Sequence, residues 1–303
     1  MRKILMFTGF VLLFFPVLAA AQKVNSRLLV STDWLAKNGD KVVLLHIGAT
    51  RAGYDAGHIP GAKFVGFGEI TTTRGGVPNE LASAEDLKKV FTIAGIGDSK
   101  RIVLYGEMQG LMAARTFFTL EYLGQGDRVS LLDGGLEKWK LEKREVTTKA
   151  LMPTPSPFDP KINSSVVIAI DTVRDVSWSV LNQKPSNFSL IDARPPEEYS
   201  GKTPGAGITR PGFIPGAVNV FWLANNVVSG ENPVMKPVKE LRAIYEKAGV
   251  SATKMNVVYC RTGGQASHAY FTLRYLGYPV KLYDGSFAEW SKQADTAISL
   301  PGK

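Results

Sequence analysis

The chain has 303 residues, and its 36 lysines and arginines against 27 aspartates and glutamates give a formal net charge of +9. Hydrophobic residues make up 45% and charged residues 21%, a balance that excludes a disordered chain, a collagen and a coiled coil. The length suggests two domains, and a single cysteine excludes an internal disulfide and a cysteine-rich zinc site.

Residues 1–21 have the pattern of an export signal. Arg2 and Lys3 precede an almost wholly apolar run, Ile4 to Leu18, and alanines follow at 19–21. This order is typical of a secretory signal peptide that is cleaved before Gln22. An uncleaved membrane anchor is the alternative, but the apolar run is short of the ~20 residues that a spanning helix needs. We therefore expect a periplasmic or secreted protein with no integral membrane segment after cleavage of the signal.

Short apolar strands alternate with amphipathic helices in the first half. Lys41–Ile47 is rich in valine and leucine and predicts a strand. Ser83 can cap a helix over residues 84–94, and Gly95 is a suitable helix stop. Further along, the pattern predicts a strand, a helix and a strand over residues 101–105, 111–122 and 129–132.

A proline-rich segment at residues 152–157 separates the two halves. Alternating prolines favour an extended and fairly stiff connector. We therefore predict a first domain over residues 22–150, a linker over 151–165 and a second domain over 166–303. The second half predicts alternating strands and helices at 190–191, 237–248, 256–259, 266–275 and 280–283.

The second half repeats the first at a nearly constant offset of 151–155 residues. The matching segments are Val103–Gly106 with Val257–Cys260, His58–Ala62 with Phe213–Ala217, and Asp133, Gly134 and Trp139 with Asp284, Gly285 and Trp290. The pattern predicts two duplicated α/β domains, each a mainly parallel sheet flanked by helices. We expect the two matching tryptophans in the cores. Ligands bind such sheets beyond the carboxyl ends of the strands.

The single cysteine follows a predicted strand at the point where such a sheet carries its chemistry. Cys260 is followed by Arg261-Thr262-Gly263-Gly264-Gln265, and a helix is predicted from Ala266. Two glycines allow several backbone N–H groups to turn inward, and the helix N-terminus adds partial positive charge. Together with the arginine, this cradle is expected to lower the pKa of the thiol and to hold an anion over the sulfur. A buried core cysteine is the structural alternative, but Gly106 at the matching repeat position favours a functional thiol.

Other chemistries fit this loop less well. A tyrosine phosphatase needs an arginine where this chain has Ala266, and a disulfide oxidoreductase needs a second cysteine. A cysteine protease needs a histidine base, but His268 lies inside a predicted helix, where we expect it to be packed. The histidines at 46, 58 and 268 are too scattered for a metal motif. The sequence has no basic run with interleaved aromatic residues, so we do not expect the chain to bind nucleic acid.

The duplicated halves, their shared Ile-Pro-Gly-Ala motif, Asp192-Ala193-Arg194 and the Cys260 loop resemble the tandem-domain rhodaneses, the thiosulfate sulfurtransferases. The resemblance covers residues 25–296. It implies two rhodanese-like domains, of which the first is a degenerate scaffold and the second is catalytic. It also implies that sulfane sulfur from a small anionic donor is stored as a persulfide on Cys260 and passed to a thiol, cyanide or protein acceptor. No metal or organic cofactor is implied.

The resemblance also assigns the site residues. Cys260 is the catalytic residue, and its six-residue loop has the length of sulfur-binding members. Arg261 directly after the cysteine resembles thiosulfate-type members, whereas mercaptopyruvate-type members usually have glycine there. The substrate-binding residues are then Arg261, Thr262, Gly263, Gly264, Gln265, Ala266 and Arg194. For Arg194 a structural ion pair is an equal alternative.

Four positions depart from the family pattern. Thr262 replaces a residue that is often basic, Gln265 replaces Thr or Arg, and Phe213 replaces the usual histidine. Glu198 stands where members often place a substrate-contacting arginine, so it is expected to repel an anion; Arg194 or Arg210 could supply the missing charge. The alternatives to thiosulfate are therefore 3-mercaptopyruvate or another sulfane donor. A further alternative is a non-catalytic envelope protein that binds sulfur or an oxyanion.

Overall fold

Two parallel sheets, one in each half of the chain, form the framework of the computed structural model, which describes residues 23–97, 99–229 and 232–302. The predicted export signal lies outside the described residues. The strands of the first half are β1 (Leu29–Val30), β2 (Val42–Gly48), β3 (Lys63–Gly66), β4 (Thr71–Arg74), β5 (Val77–Leu81), β6 (Arg101–Gly106) and β7 (Val129–Leu132). Strands β4 and β5 pair as an antiparallel hairpin, and the other five form a parallel sheet in the order β1-β7-β6-β2-β3.

The sheet of the second half has the same plan with one strand fewer. Its strands are β8 (Phe188–Asp192), β9 (Ala217–Asn219), β10 (Asn226–Ser229), β11 (Asn232–Met235), β12 (Met255–Tyr259) and β13 (Val280–Leu282). Four of them form a parallel sheet in the order β13-β12-β8-β9, and β10 pairs with β11 as an antiparallel hairpin. The register places Leu44 opposite Val103 in one sheet and Leu190 opposite Val257 in the other, as expected for a duplication.

Helices connect and cover these strands. They are α1 (Thr32–Asn38), α2 (Ala52–Ala56), α3 (Ala84–Ile93), α4 (Leu111–Tyr122), α5 (Gly135–Leu141), α6 (Ile170–Leu181), α7 (Pro196–Tyr199), α8 (Val238–Lys247), α9 (Gly264–Leu276) and α10 (Ser286–Lys292). The Ser83 hydroxyl accepts a hydrogen bond from the backbone N–H of Asp86, which caps α3 as predicted. The predicted fold class, two α/β domains with parallel sheets, is confirmed. Within the described residues, every helix is too short or too polar to cross a membrane.

Helices α4 and α9 pack against each other and join the two halves through a shared apolar core. Phe117 meets Phe271 edge to face at 5.0 Å, and Phe118 meets Tyr270 at 5.1 Å. Such aromatic pairs contribute about 0.5–1.5 kcal/mol beyond the area that they bury. The two matching tryptophans, at 139 and 290, lie buried in separate clusters on the outer sides of the sheets, which confirms the prediction that they are core residues.

The proline-rich segment lies along the first half. Residues 151–163 contain neither helix nor strand. The Phe158 side chain is buried and meets Phe91 edge to face at 6.4 Å, and the Ser156 N–H donates to the Thr92 carbonyl. The connector is thus held by packing and backbone hydrogen bonds.

Candidate active site

Cys260 follows β12, an inner strand of the second sheet, and begins the loop that leads into α9. Its backbone N–H donates to the Ser286 hydroxyl at 3.2 Å, and its carbonyl accepts from the Phe287 N–H at 2.9 Å. Only 1% of the residue is exposed, yet it lines a cavity of about 240 Å³. The residue thus belongs to the buried apolar core and at the same time lines a cavity, where its thiol can meet a ligand.

Backbone amides surround the sulfur. The N–H groups of Thr262, Gly263 and Ala266 donate to the Cys260 thiol. Gly263 has φ +86°, a left-handed conformation, and a Cβ atom there would lie 3.0 Å from both the Arg115 guanidinium and the Asp284 carboxylate. Only glycine therefore fits this position without displacing its neighbours. The loop presents convergent donors to an anionic sulfur.

Burial raises the pKa of the Cys260 thiol, and the three backbone N–H groups only partly oppose this effect. The charge of Asp192 raises the pKa further. The expectation that the cradle lowers the pKa of the thiol is therefore wrong, because removing a thiolate from water raises the pKa by more than the amides lower it. The same amides remain available to an anion that forms in the cavity.

Both halves of the chain line the cavity. Phe67, Asn79, Met108, Leu111 and Met112 come from the first half, and Trp222, Cys260, Arg261, Thr262, Gly264 and Gln265 come from the second. The structure thus brings four of the predicted binding side chains or backbone positions to one cavity with the cysteine. The five wall residues of the first half were not predicted from the sequence, because the resemblance implies only a scaffold role for that half. A signal was present in the loop after β6, which repeats the Cys260 loop.

Arg261 is paired with Glu198, and the pair is bidentate. The Arg261 Nε donates to Glu198 Oε2 at 3.1 Å, and its Nη2 donates to Oε1 at 2.5 Å. Glu198 is buried on α7, whereas 32% of the arginine side chain is exposed. The carboxylate that was expected to repel a substrate anion thus acts first on Arg261, whose charge it neutralises.

Arg194 does not line the cavity. Its guanidinium is fully buried, forms an ion pair with Asp192 and donates to the Gly212 carbonyl at 2.8 Å. It also lies over the Phe287 ring at 4.0 Å. The substrate-binding assignment of Arg194 is therefore replaced by its structural alternative, because its Nε and Nη2 donate inside the second half and the residue does not line the cavity.

Arg210 is equally committed to the protein. It donates to the carbonyls of Ser291 and Thr296 at 3.0 and 2.8 Å, near the carboxyl end of α10. Its charge therefore interacts with carbonyls at and just beyond the carboxyl end of α10, and Arg210 does not line the Cys260 cavity.

Residues of the first half also form hydrogen bonds and an ion pair with the Cys260 loop and its neighbour Asp284. The Asn79 amide donates to the Thr262 hydroxyl at 3.1 Å, and the Asn79 carbonyl accepts from Arg115 at 2.7 Å. Arg115 is fully buried on α4 and forms an ion pair with Asp284 at 2.7 Å. Asp284 in turn accepts from the Leu81 N–H at 2.7 Å. These five residues connect the β4–β5 hairpin to the sulfur loop.

His268 is packed on α9, as the sequence indicated. Its ring meets Trp222 edge to face at 5.3 Å, and burial lowers its pKa to about 4. It does not line the Cys260 cavity. Over the described ranges, no three histidine, cysteine, aspartate or glutamate side chains lie close enough together to hold a metal ion.

A duplicated α/β fold with a cysteine in an amide-lined loop at the end of a parallel strand defines the rhodanese class. The Rhodanese-like domain family matches the chain twice, over residues 31–142 and 177–293, so the chain belongs to the rhodanese family. The resemblance noted in the sequence is therefore confirmed.

Two curated relatives match almost the whole chain. The sulfur carrier protein TtuD of Thermus thermophilus is 35% identical over 287 residues, which are 91% of this chain and 97% of the relative. A Saccharopolyspora erythraea protein with the provisional name thiosulfate sulfurtransferase is 32% identical, over 91% of this chain and 98% of the relative.

Solved structures share the architecture. The crystal structure of SseA from Escherichia coli, described as a 3-mercaptopyruvate sulfotransferase with the rhodanese fold, is 27% identical with a TM-score of 0.73, over 86% of this chain and 98% of that chain. The anaerobic ergothioneine biosynthesis enzyme from Chlorobium limicola is 24% identical with a TM-score of 0.77, over 90% of this chain and 70% of that chain, and shows the likeness of fold alone.

Proposed function

We propose that this rhodanese-family protein is a sulfurtransferase that moves sulfane sulfur from thiosulfate to a thiophilic acceptor through a persulfide on Cys260. The observation that carries the proposal is the position of the Cys260 sulfur, which accepts from three backbone N–H groups and lines a cavity between the two halves. The curated relatives named as a sulfur carrier and a sulfurtransferase support the same chemistry.

The first half-reaction loads the cysteine. Cys260 first loses its proton to the solvent, and its thiolate then attacks the outer sulfur of thiosulfate; the S–S bond of the donor breaks, and sulfite leaves with the electron pair. A new S–S bond joins the transferred sulfur to Cys260 as a persulfide anion. The N–H groups of Thr262, Gly263 and Ala266 stabilise the negative charge as it moves onto the transferred sulfur. Arg261 lies at the cavity wall, and we expect the sulfite group of the donor to face it.

The second half-reaction unloads the cysteine. Cyanide, a thiolate or a protein acceptor attacks the terminal sulfur of the persulfide, and the Cys260 thiolate leaves with the electron pair of the broken S–S bond. The cysteine is restored, and thiocyanate or an acceptor persulfide is the product. This double displacement needs neither a metal nor an organic cofactor, since sulfur is both the nucleophile and the leaving atom.

3-Mercaptopyruvate is the second donor to consider. The 27% identity to the Escherichia coli 3-mercaptopyruvate sulfotransferase and the neutralised charge of Arg261 both favour it. Steady-state rates with each donor at equal concentration separate the two. A higher kcat/KM with thiosulfate supports the main proposal, and a higher value with 3-mercaptopyruvate replaces it.

Cys260→Ser tests the assignment of the reacting atom. A serine oxygen is nearly isosteric and keeps the loop folded, but it cannot form a persulfide. We expect transfer from thiosulfate to cyanide to fall to the uncatalysed rate, with unchanged thermal unfolding. Appreciable transfer by this variant contradicts the proposal. A wild-type protein that retains one sulfur without turnover indicates instead the non-catalytic binding protein.

We also propose that residues 1–21 direct export and that the protein acts in the periplasm or outside the cell. The charged start, the short apolar run and the alanines at 19–21 support this. Fractionation of cells that express the full chain, followed by amino-terminal sequencing, is expected to give a mature protein that begins at Gln22. A full-length cytoplasmic product contradicts the proposal.

A further inference from the structure

The Cys260 cavity carries almost no net charge. Among the described residues that line it, Arg261 has the only charged side chain. Glu198 lies directly behind that arginine, and both of its carboxylate oxygens accept from the guanidinium. A dianion that enters the cavity therefore meets a neutral pair and the backbone amides of the loop, not an isolated cation.

The pair is fixed by its surroundings. Gly205 has φ +74°, and a Cβ atom there would lie 2.9 Å from Arg261 Nε and 3.0 Å from Glu198 Oε2. The backbone thus approaches the pair as closely as a glycine allows. Only 6% of Glu198 is exposed, so water screens the interaction weakly. We therefore expect Arg261 to remain paired when a donor binds.

The rest of the wall is mainly apolar. Phe67, Met108, Leu111, Met112 and Trp222 surround the approach to Cys260. Leu111, Met112 and Trp222 are themselves buried, so this surface is a packed wall. An apolar wall favours a ligand with an organic body over a compact, strongly hydrated inorganic ion.

We propose that Glu198 sets the donor specificity of this site. By neutralising Arg261 it favours a singly charged organic sulfane-sulfur donor, such as an aryl or alkyl thiosulfonate, over dianionic thiosulfate, which remains a poorer substrate. The inference rests on the proposed function of Cys260 as the sulfur acceptor. In the reaction, the Cys260 thiolate attacks the outer sulfur of the thiosulfonate, its S–S bond breaks, and the sulfinate leaves with the electron pair.

The test compares benzenethiosulfonate with thiosulfate as donors. We expect the wild-type protein to have the higher kcat/KM with benzenethiosulfonate. Glu198→Gln removes one negative charge and keeps a hydrogen-bond acceptor for Arg261. Because an unpaired charge acts twice as strongly on a dianion as on a monoanion, kcat/KM should rise about tenfold for thiosulfate and about threefold for benzenethiosulfonate. Glu197→Gln is the matched control, since the neighbouring Glu197 is exposed on α7, and it should change neither value.

Equal changes for the two donors in Glu198→Gln, or no gain with thiosulfate, overturn the inference. Thermal unfolding of each variant shows whether it is folded. If Glu198→Gln does not fold, the wild-type donor ratio decides, and a preference for thiosulfate contradicts the inference. Cys260→Ser separates the role of Cys260 from the role of Glu198. Persistent sulfur transfer by Cys260→Ser refutes the proposed function. Loss of transfer in Cys260→Ser, together with an unchanged donor ratio in Glu198→Gln, refutes only the role of Glu198.

Discussion

Gly263→Ala is expected to disable the sulfur loop, while Gly264→Ala is expected to leave it intact. Gly263 has φ +86°, and its new Cβ would lie 3.0 Å from Arg115 Nη1, 3.0 Å from Asp284 Oδ1 and 3.2 Å from the Asp284 carbonyl oxygen. The left-handed conformation costs alanine about 1–2 kcal/mol. The crowded ion pair is buried and hydrogen-bonded, so it cannot move away freely, and we expect a total loss of about 2–3 kcal/mol.

The same substitution should act on catalysis. The Gly263 N–H is one of the three donors to the Cys260 sulfur; alanine keeps this N–H, but the strained backbone should turn it out of line, and loss of one such donor's contact typically costs about 10²–10³ in rate. We expect kcat for thiosulfate:cyanide transfer to fall about 100-fold. At Gly264 a Cβ would meet only Leu111 Cδ2, at an ordinary 3.5 Å. Because that residue begins α9, alanine should be neutral or stabilising there by about 0.5 kcal/mol, with kcat within about threefold of wild type.

Two measurements on each variant decide the matter. Urea unfolding gives the free energy of unfolding, and steady-state transfer to cyanide gives kcat and KM. Similar behaviour of the two alanine variants would show that the left-handed glycine and its contacts with Arg115 and Asp284 do not determine the loop. The Cys260 loop would then not depend on convergent backbone amides.

Three further predictions concern the contacts between the halves. Arg115→Met leaves the buried Asp284 carboxylate without its cation and should destabilise the protein by about 3–5 kcal/mol in urea unfolding. The control, Lys89→Met, breaks an exposed ion pair with Glu85 and should have little effect. Equal effects of the two substitutions would show that burial does not strengthen the pair of Arg115 with Asp284. Burial beside Asp284 raises the pKa of Glu80 from 4.5 to about 7, so the folded chain keeps a proton that the unfolded chain has lost. The free energy of unfolding should therefore fall as pH rises from about 4.5 to 7, and the Glu80→Gln variant should lack that fall in thermal unfolding. A variant with the same pH dependence as the wild-type protein would refute the raised pKa of Glu80. Asn79 has φ +65°, which glycine also adopts, so Asn79→Gly should remove only the hydrogen bond to Thr262. We expect kcat/KM to drop about fivefold without a comparable loss of stability. Unchanged kinetics would exclude Asn79 as a positioning residue.

The fold was largely predictable from the sequence because local patterns and the global repeat agree. The predicted strand at 129–132 and helix at 111–122 match β7 and α4 residue for residue. Helix α9 begins at Gly264, two residues before the predicted start, because a glycine in the left-handed conformation at 263 can serve as its N-cap. The hairpins were missed, since short polar strands such as β4 have no apolar alternation.

The site was predictable only in part, because its energetics depend on contacts between distant segments. The loop residues from Cys260 to Gln265 are contiguous, so the sequence places them together. The pairing of Arg261 with Glu198 joins positions that are 63 residues apart, and the hydrogen bond from Asn79 to Thr262 joins positions that are 183 apart. The direction of the thiol pKa could not be read from loop composition, because it depends on how completely the rest of the protein excludes water.

Intact-mass spectrometry of the protein after incubation with thiosulfate shows whether Cys260 forms a persulfide. We expect wild-type protein to gain the mass of one sulfur atom, to lose it on addition of cyanide, and to regain it with fresh donor. Cys260→Ser should show no gain under the same conditions. A wild-type protein that stays at its original mass, or a serine variant that gains the same sulfur, would contradict a persulfide on Cys260.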